Sequence, residues 1–353
     1  VSRAARIGVV LVLAAGAYLA LWPVPIEPVA WNPPEAPELT GPYALNDALT
    51  RSTRLLEGVG IGPEDVAFDV DGGLYTGFED GQIARLPLPN REPRLFAETG
   101  GRPLGMVFDP LGNLIVADAS VGLLSISPQG EVSVLATGVG DRPFGFLDDL
   151  DIGPDSTIYM SDASARFGYG SHRLAILEHG GDGQLLAWNP VTRAVYVLLD
   201  GLQFPNGIVV EPSGESLLFA ETGAYRIRRY WLKGERAGTT EVFAENLPGF
   251  PDNISRTPDG RIWVPMSSPR HPLADLLGPY PFLRKVAARL PGWAQPKELR
   301  HGLVVELAPD GRPLRALHDP SGDVAMTSCA MERGGVLYVG SWHDPKVVAV
   351  TLD

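Results

Sequence analysis

An all-β chain folded as a six-bladed β-propeller, with an N-terminal transmembrane helix and a short helical insertion, is what this sequence predicts, and three observations carry the prediction. A six-residue segment leading into an apolar strand recurs six times. A turn residue follows five of the six copies at one fixed offset. The 41 Gly and 33 Pro among 353 residues are more punctuation than a helical protein tolerates, and suit short strands joined by tight turns. A formal net charge of −13 argues against nucleic acid as a partner, because such binding depends on Lys and Arg neutralising phosphates.

Near the N-terminus, Arg3 and Arg6 precede an apolar run from Ile7 to Trp22 that ends at Pro23. Residues 1–26 read as a signal anchor, slightly short of the roughly 20 residues of a spanning helix unless Val24 and Ile26 extend it. A cleaved signal peptide is the alternative, although its small-residue site, Ala15-Gly16-Ala17, sits inside the apolar run. On either reading the positive flank stays in the cytoplasm and the bulk of the chain lies outside it. Residues 27–50 form a Pro-rich linker, and the propeller occupies residues 51–353.

The repeat begins with Pro63-Glu64-Asp65-Val66-Ala67-Phe68 and continues with the segments that start at Pro103, Leu147, Pro205, Pro251 and Thr327. Gly72, Gly112, Ser156, Gly214 and Gly260 each lie eight residues after the second position of their segment, and Gly335 comes one residue early. Apolar strands follow, among them Leu74-Tyr75-Thr76, Leu114-Ile115-Val116 and Ile262-Trp263-Val264. Strand, tight turn and strand make a hairpin, and further strands complete four-stranded blades. A linear β-solenoid is the structural alternative, with shorter and more uniform repeats.

In a propeller the first strand of every blade runs along the central channel, so equivalent repeat positions meet around one axis. The second position reads Glu64, Leu104, Asp148, Asn206, Asp252, Ser328, and the third Asp65, Gly105, Asp149, Gly207, Asn253, Cys329. Three carboxylates and an amide at one channel mouth repel one another unless a cation neutralises them or some stay protonated. Their hard oxygens favour calcium, with magnesium or another divalent cation as the alternative; zinc would want nitrogen or sulfur. Asp65 and Asp149 either hold a second, structural ion or brace loops. The six histidines, His172, His179, His271, His301, His318 and His343, fall outside the repeat positions and read as surface or bracing residues. Cys329 is the only cysteine, which leaves no intramolecular disulfide, and Ser328 lacks a Gly-x-Ser-x-Gly setting. No glycine-rich phosphate loop follows a strand, so no nucleotide cofactor is expected.

Residues 269–300 break the repeat. Leu273, Leu276, Leu277, Tyr280, Phe282, Leu283, Val286, Leu290 and Trp293 mix there with Arg270, Arg284, Lys285, Arg289, Lys297 and Arg300, against Asp275 and Glu298 alone. This amphipathic insertion reads as a lid over the channel mouth, as a surface for membrane lipid, or as both, with Leu283, Trp293, Arg284 and Lys285 as its marker residues.

The motifs Phe146-Leu147-Asp148-Asp149-Leu150, Phe204-Pro205-Asn206-Gly207, Phe250-Pro251-Asp252-Asn253-Ile254 and Leu317-His318-Asp319-Pro320 resemble those of one superfamily. It groups gluconolactonases and the senescence marker protein with diisopropyl fluorophosphatase, serum paraoxonases and strictosidine synthase-like proteins. The likeness is nearest to the branch of adipocyte plasma membrane-associated protein and its bacterial relatives, and covers nearly all of the chain after about Ser52. The resemblance implies that Glu64, Asp148, Asn206 and Asp252 are calcium ligands, with Asn253 added as in paraoxonases, and that Asp65 and Asp149 stand at a structural-calcium position. Asp148 departs from a usual Asn, and Leu104 replaces the paraoxonase catalytic histidine, which shifts the catalytic burden to Asp252 with Asp148 as helper. Asp323 is a poorly aligned counterpart of the glutamate of plant strictosidine synthases. The expected activity is calcium-dependent hydrolysis of a small ester or lactone, arylesterase- or lactonase-like, with Asp252 as base or nucleophile. A non-catalytic binding propeller and a metal-free condensing enzyme are the rivals.

Overall fold

Strand and turn alternate as the repeat requires, and in the computed structural model, which describes residues 2–88, 92–296 and 298–352, they form six sheets around one axis. Lys297, counted above in the insertion's charge, lies outside the described residues. The first blade runs Ala67–Phe68, Leu74–Gly77, Gln82–Leu86, Arg94–Glu98, each strand antiparallel to the one before. Blades two, three and four open with Pro103–Phe108, Leu147–Ile152 and Pro205–Val210 and follow the same order. In the fifth, the first strand is split into Gly249–Pro251 and Ser255–Arg256, both paired with Ile262–Pro269. The sixth takes its outer strand from the front of the propeller: Thr53–Leu55 pairs with Val347–Thr351, Thr53 opposite Ala349. Ends remote in sequence thus close the ring, which leaves only the outer strand of each blade as an edge.

The fixed turn offset has a conformational basis. Gly72, Gly112, Gly214 and Gly260 have φ between +64 and +87°, and Ser156 occupies the same left-handed turn at +63°. Each of these residues donates its backbone N–H to a carbonyl three residues earlier, 2.7–3.0 Å away. Apolar side chains from adjacent blades pack between the sheets: Leu218 and Ile227 of blade four meet Val264, Leu303 and Val305 of blade five in one buried cluster.

At the axis, the third repeat position alternates large and small for steric reasons. A Cβ on Gly105 would lie 2.1 Å from Asp149 Oδ1, and one on Gly207 would lie 2.2 Å from the backbone N of Ile254. Side chains of one blade also satisfy amides of the next. Asp65 accepts from the Met106 N–H (2.9 Å), Asp149 from Ile208 (2.7 Å) and Asp151 from Val210 (2.7 Å). Asp65 and Asp149 each tie their blade to the next by one such bond.

Among the described residues, four α-helices lie outside the ring. Helix α1 (Arg3–Leu21) is capped by Ser2 and none of its residues is buried. Helix α2 (His172–Glu178) interrupts blade three and ends on His179 in the left-handed conformation. Helices α3 (Pro272–Leu277) and α4 (Pro281–Arg289) make up the predicted insertion, each started by a proline whose missing N–H costs nothing at a helix N-terminus. The Pro-rich stretch between α1 and the first strand lies against the propeller. Ile26 and Leu49 are fully buried, Val29 N–H donates to the Glu178 carbonyl (2.9 Å) and Trp31 N–H to the Gly278 carbonyl (3.2 Å). It therefore straps α2 to α3.

Because the atoms facing Gly207 are backbone of the next blade, Gly207→Ala should destabilise the protein by about 1–3 kcal/mol in urea unfolding. Gly292→Ala, whose Cβ meets nothing within 4 Å, should stay within about 0.5 kcal/mol of the parent.

Candidate active site

The second repeat positions converge as the propeller geometry demands. Glu64, Asp148, Asn206 and Asp252, each 3–5% exposed, line one cavity of about 320 Å³ at the axis. Its walls are Leu104, Phe146, Tyr169, Phe204, Tyr225 and Phe250, and its roof comes from α2, α3, α4 and Trp31 of the strap. A polar floor under apolar walls is the usual make-up of a small-molecule site. Asn253 lies beside the floor rather than on the lining: its Nδ2 donates to Glu64 Oε1 at 2.9 Å, as Asn206 Nδ2 donates to Asp148 Oδ2 at 3.1 Å.

Burial is the main reason the floor carboxyls hold their protons, and mutual repulsion adds to it. Glu64 is pushed well above the usual carboxylate range, first by burial and then by Asp252, Asp148 and Asp65. Asp148 is raised by burial and by Asp252. Asp252 is raised by burial against the restraint of hydrogen bonds from Asn206, the Asn253 amide and Ser267. In the layer of Asp65 and Asp149 burial likewise dominates, and the Asp65 charge adds to the rise at Asp149.

The donor set suits a hard divalent cation. Glu64 Oε2, Asn206 Oδ1 and Asn253 Oδ1 are buried acceptors without a hydrogen-bond partner, and all three are oxygens. Among the described residues no three His, Cys, Asp or Glu side chains close to metal-ligand spacing. Like charges without a cation between them give no reason to converge further.

Several cavity residues were not legible in the repeat. Arg102 is 2% exposed; it donates to the Gly62 carbonyl (2.8 Å), stands over the Tyr169 ring (5.5 Å), and keeps Nε unpartnered. It is the one cation that opposes the rise at both Glu64 and Asp148. Its only sequence signal is a charge placed directly before a repeat strand. Three histidines expected to be bracing or surface residues, His172, His179 and His271, line the cavity instead. They arrive on α2 and beside α3, elements outside the repeat register, so the alignment could not place them. His172 Nδ1 lies 2.7 Å from the Tyr169 carbonyl, which can only accept; the proton therefore sits on Nδ1 and Nε2 is left as an acceptor. Burial lowers its proton affinity and keeps it neutral. His179, stacked on Trp31 at 4.1 Å, is lowered to about 4 by burial and by Arg284 and Arg226.

The insertion divides its residues between two faces. Arg284 belongs to the lid rather than to an outer basic face: it is 3% exposed, lines the cavity and donates to the carbonyls of Leu177 and Val29. Lys285 pairs with Glu27 at 2.7 Å. Leu283 and Trp293 point outward, 43% and 85% exposed. Asp323 is remote from the cavity, half exposed and ion-paired with Arg54 and Lys346.

Comparison with known proteins agrees with this architecture. Residues 148–235 match the family described as strictosidine synthase, and residues 41–86 the family described as strictosidine synthase-like, N-terminal. The chain is 38% identical to adipocyte plasma membrane-associated protein of Danio rerio over 93% of this chain and 84% of that protein. Among solved structures it resembles a gluconolactonase of Xanthomonas campestris (TM-score 0.63, 14% identity, 94% of this chain and 99% of that one). It also resembles a calcium-binding protein, regucalcin, of Agrobacterium tumefaciens (TM-score 0.58, 17% identity, 85% and 91%). At such identities the structural matches speak for the fold.

Carboxyls whose proton affinity is raised by folding make the native state bind more protons than the unfolded one, so stability falls as pH rises through that window. The cation-free protein should therefore lose melting temperature from about pH 4, where unfolded carboxyls ionise, to about pH 8, where Asp252 does. Calcium should raise the melting temperature most at the alkaline end of this range and little at pH 5, as differential scanning fluorimetry would show.

Proposed function

The chain belongs to the strictosidine synthase-like family that includes adipocyte plasma membrane-associated protein, and from that premise we propose that it is a membrane-anchored, divalent-cation-dependent hydrolase of esters or lactones. The observation that carries the reading is the floor of the cavity, where three buried carboxyls and two amides leave only oxygen acceptors unsatisfied. Glu64, Asp148, Asn206 and Asp252 would hold the cation, calcium before magnesium, with Asn253 supporting Glu64. When bound, the cation supplies Lewis-acid polarisation of the carbonyl oxygen and neutralises the carboxylates around it.

The chain's own residues do the rest. Apolar walls orient the acyl or aryl part of the substrate and exclude water from the site. Asp252 in its ionised form takes a proton from the water that attacks the carbonyl carbon, and the proton passes, with Asp148 sharing it, to the alcohol oxygen as the acyl C–O bond breaks. In the alternative, Asp252 attacks the carbon itself, the leaving alcohol takes the proton of Asp148, and water then hydrolyses the acyl anhydride. Arg102, held in place by the Gly62 and Trp342 carbonyls, supplies a fixed positive charge toward the acids of the floor and any oxyanion formed above them. The gluconolactonase-like fold supports the same class of substrate. Condensation of the strictosidine kind is less favoured, since Asp323 stands outside the cavity in two ion pairs. Helix α1, long and apolar enough to cross a membrane, would hold the propeller outside the cytoplasm, with Arg3 and Arg6 on the cytoplasmic side.

The test is turnover of a panel of aryl esters and lactones by metal-stripped protein with and without added calcium. Calcium should restore activity, and Asp252→Asn should lower kcat/KM by about 10²- to 10⁴-fold while the melting temperature shows a folded protein. Full activity in that variant, or activity indifferent to chelation, would sink the assignment.

A further inference from the structure

The end of α1 is fastened to the lid. Arg289 donates to the carbonyls of Leu19 (3.0 Å) and Trp22 (2.5 Å), and the Tyr18 hydroxyl donates to the Arg289 carbonyl (3.3 Å). A helix that crosses a bilayer leaves its hydrocarbon core at its last turn, so α4, bonded to that turn, must lie at the depth of the head groups. The residues that this segment turns outward are apolar: Leu276 of α3, Phe282 and Leu283 of α4 and Trp293 behind it, from 43% to 85% exposed. Large exposed apolar side chains clustered in one segment mark a surface with a partner.

Charge identifies how that partner is met. Arg284 and Arg289 are buried and bonded to backbone carbonyls, and Lys285 is paired with Glu27. Arg284 and Arg289 are thereby withdrawn from direct contact with head groups, and insertion of apolar side chains is the contact this face offers. The inner faces of the same helices, Leu277 of α3 and Ala287 and Ala288 of α4, line the cavity. One thin lid therefore has apolar surface toward both the cavity and the surroundings.

We propose that the outer face of the 269–300 insertion rests in the interface of the bilayer that α1 crosses, and that the cavity receives its substrates, long-chain apolar esters or lactones, from that bilayer. The docking half rests on the geometry and on α1 crossing the bilayer; the substrate half rests on the hydrolase reading. Because Cys329 is the only cysteine and is buried, an environment-sensitive fluorophore can be placed selectively on Leu283→Cys, Trp293→Cys or Leu111→Cys in the full chain. Leu111 is 83% exposed beyond the far end of the strand whose start, Leu104, lines the cavity. In phosphatidylcholine vesicles, nitroxide-labelled lipid should quench the probes at 283 and 293 by about half or more, consistent with burial ~5–10 Å into the interface, and spare the probe at 111. Anionic lipid should change this little. Probes at 283 and 293 no more quenched than that at 111 overturn the docking. Leu283→Glu with Trp293→Glu should then lower kcat/KM about tenfold on a vesicle-dissolved long-chain ester and leave a water-soluble aryl ester unchanged. Equal effects on the two esters overturn delivery from the bilayer. A parent chain that cleaves neither ester fails the hydrolase reading, and the quenching still decides the docking.

Discussion

A closed ring of sheets imposes one demand that the rest of this structure answers: the first strand of every blade presents backbone amides to its neighbour at the axis, where no water-filled edge can satisfy them all. Side chains of the preceding blade do so. Asp65, Asp149 and Asp151 accept amides of Met106, Ile208 and Val210 across the gap, and Ser328 and Thr222 donate to carbonyls of Glu64 and Pro251. Carboxyls are thus built into the axis for structural reasons before any function is asked of them. Asp65 and Asp149 are buried and Asp151 half-buried by the ring they join, and burial raises the proton affinity of all three. The floor acids, one layer above, stand among these groups, and Asp65 adds its repulsion to Glu64 and to Asp252. The crowding of oxygen acceptors at the mouth is in this sense a by-product of closing the ring with them.

The repeat made the fold and the floor of the site readable from sequence because both depend on spacing. A turn eight residues after the second segment position fixes the hairpin, and a left-handed φ explains why glycine holds it in four blades. Ser156 shows that the position, more than the residue type, is what the fold requires. Glu64, Asp148, Asn206 and Asp252 share one offset, so placing the strands places the side chains. Nothing of the kind governs the roof. His172 and His179 ride on α2 and its end, His271 begins α3, and Trp31 comes from the strap, each out of register with the repeat. Their convergence is a tertiary event with no local signature. Arg102 was hidden for another reason: a single charge before a strand looks the same on a solvated loop as in a buried site.

The insertion was legible as an amphipathic segment but not in the division of its charges. Composition could not say that Arg284 bonds to backbone carbonyls of α2 and the strap, or that Arg289 bonds to those at the end of α1. A guanidinium carries five donors on a planar fork and is the cation best fitted to hold several carbonyls at once. The last turns of α1 and α2 offer carbonyls that no helical N–H reaches, and the strap offers that of Val29 because its prolines keep it out of regular structure. The two features explain each other: a Pro-rich segment against the propeller needs donors, and buried arginines need acceptors.

Floor and roof are consequently independent inventions on one scaffold. The floor is set by blade geometry, and it accompanies a fold that survives at 14–18% identity among solved propellers. The roof is set by excursions between the second and third strands of blades three and five, where α2 and the α3–α4 pair are inserted without disturbing the ladder on either side. Change in the roof alters the shape and apolarity of the cavity while the acids beneath keep their neighbours. In this chain the roof is also joined to α1, since the strap that follows that helix supplies Trp31 to the roof and holds both of its halves.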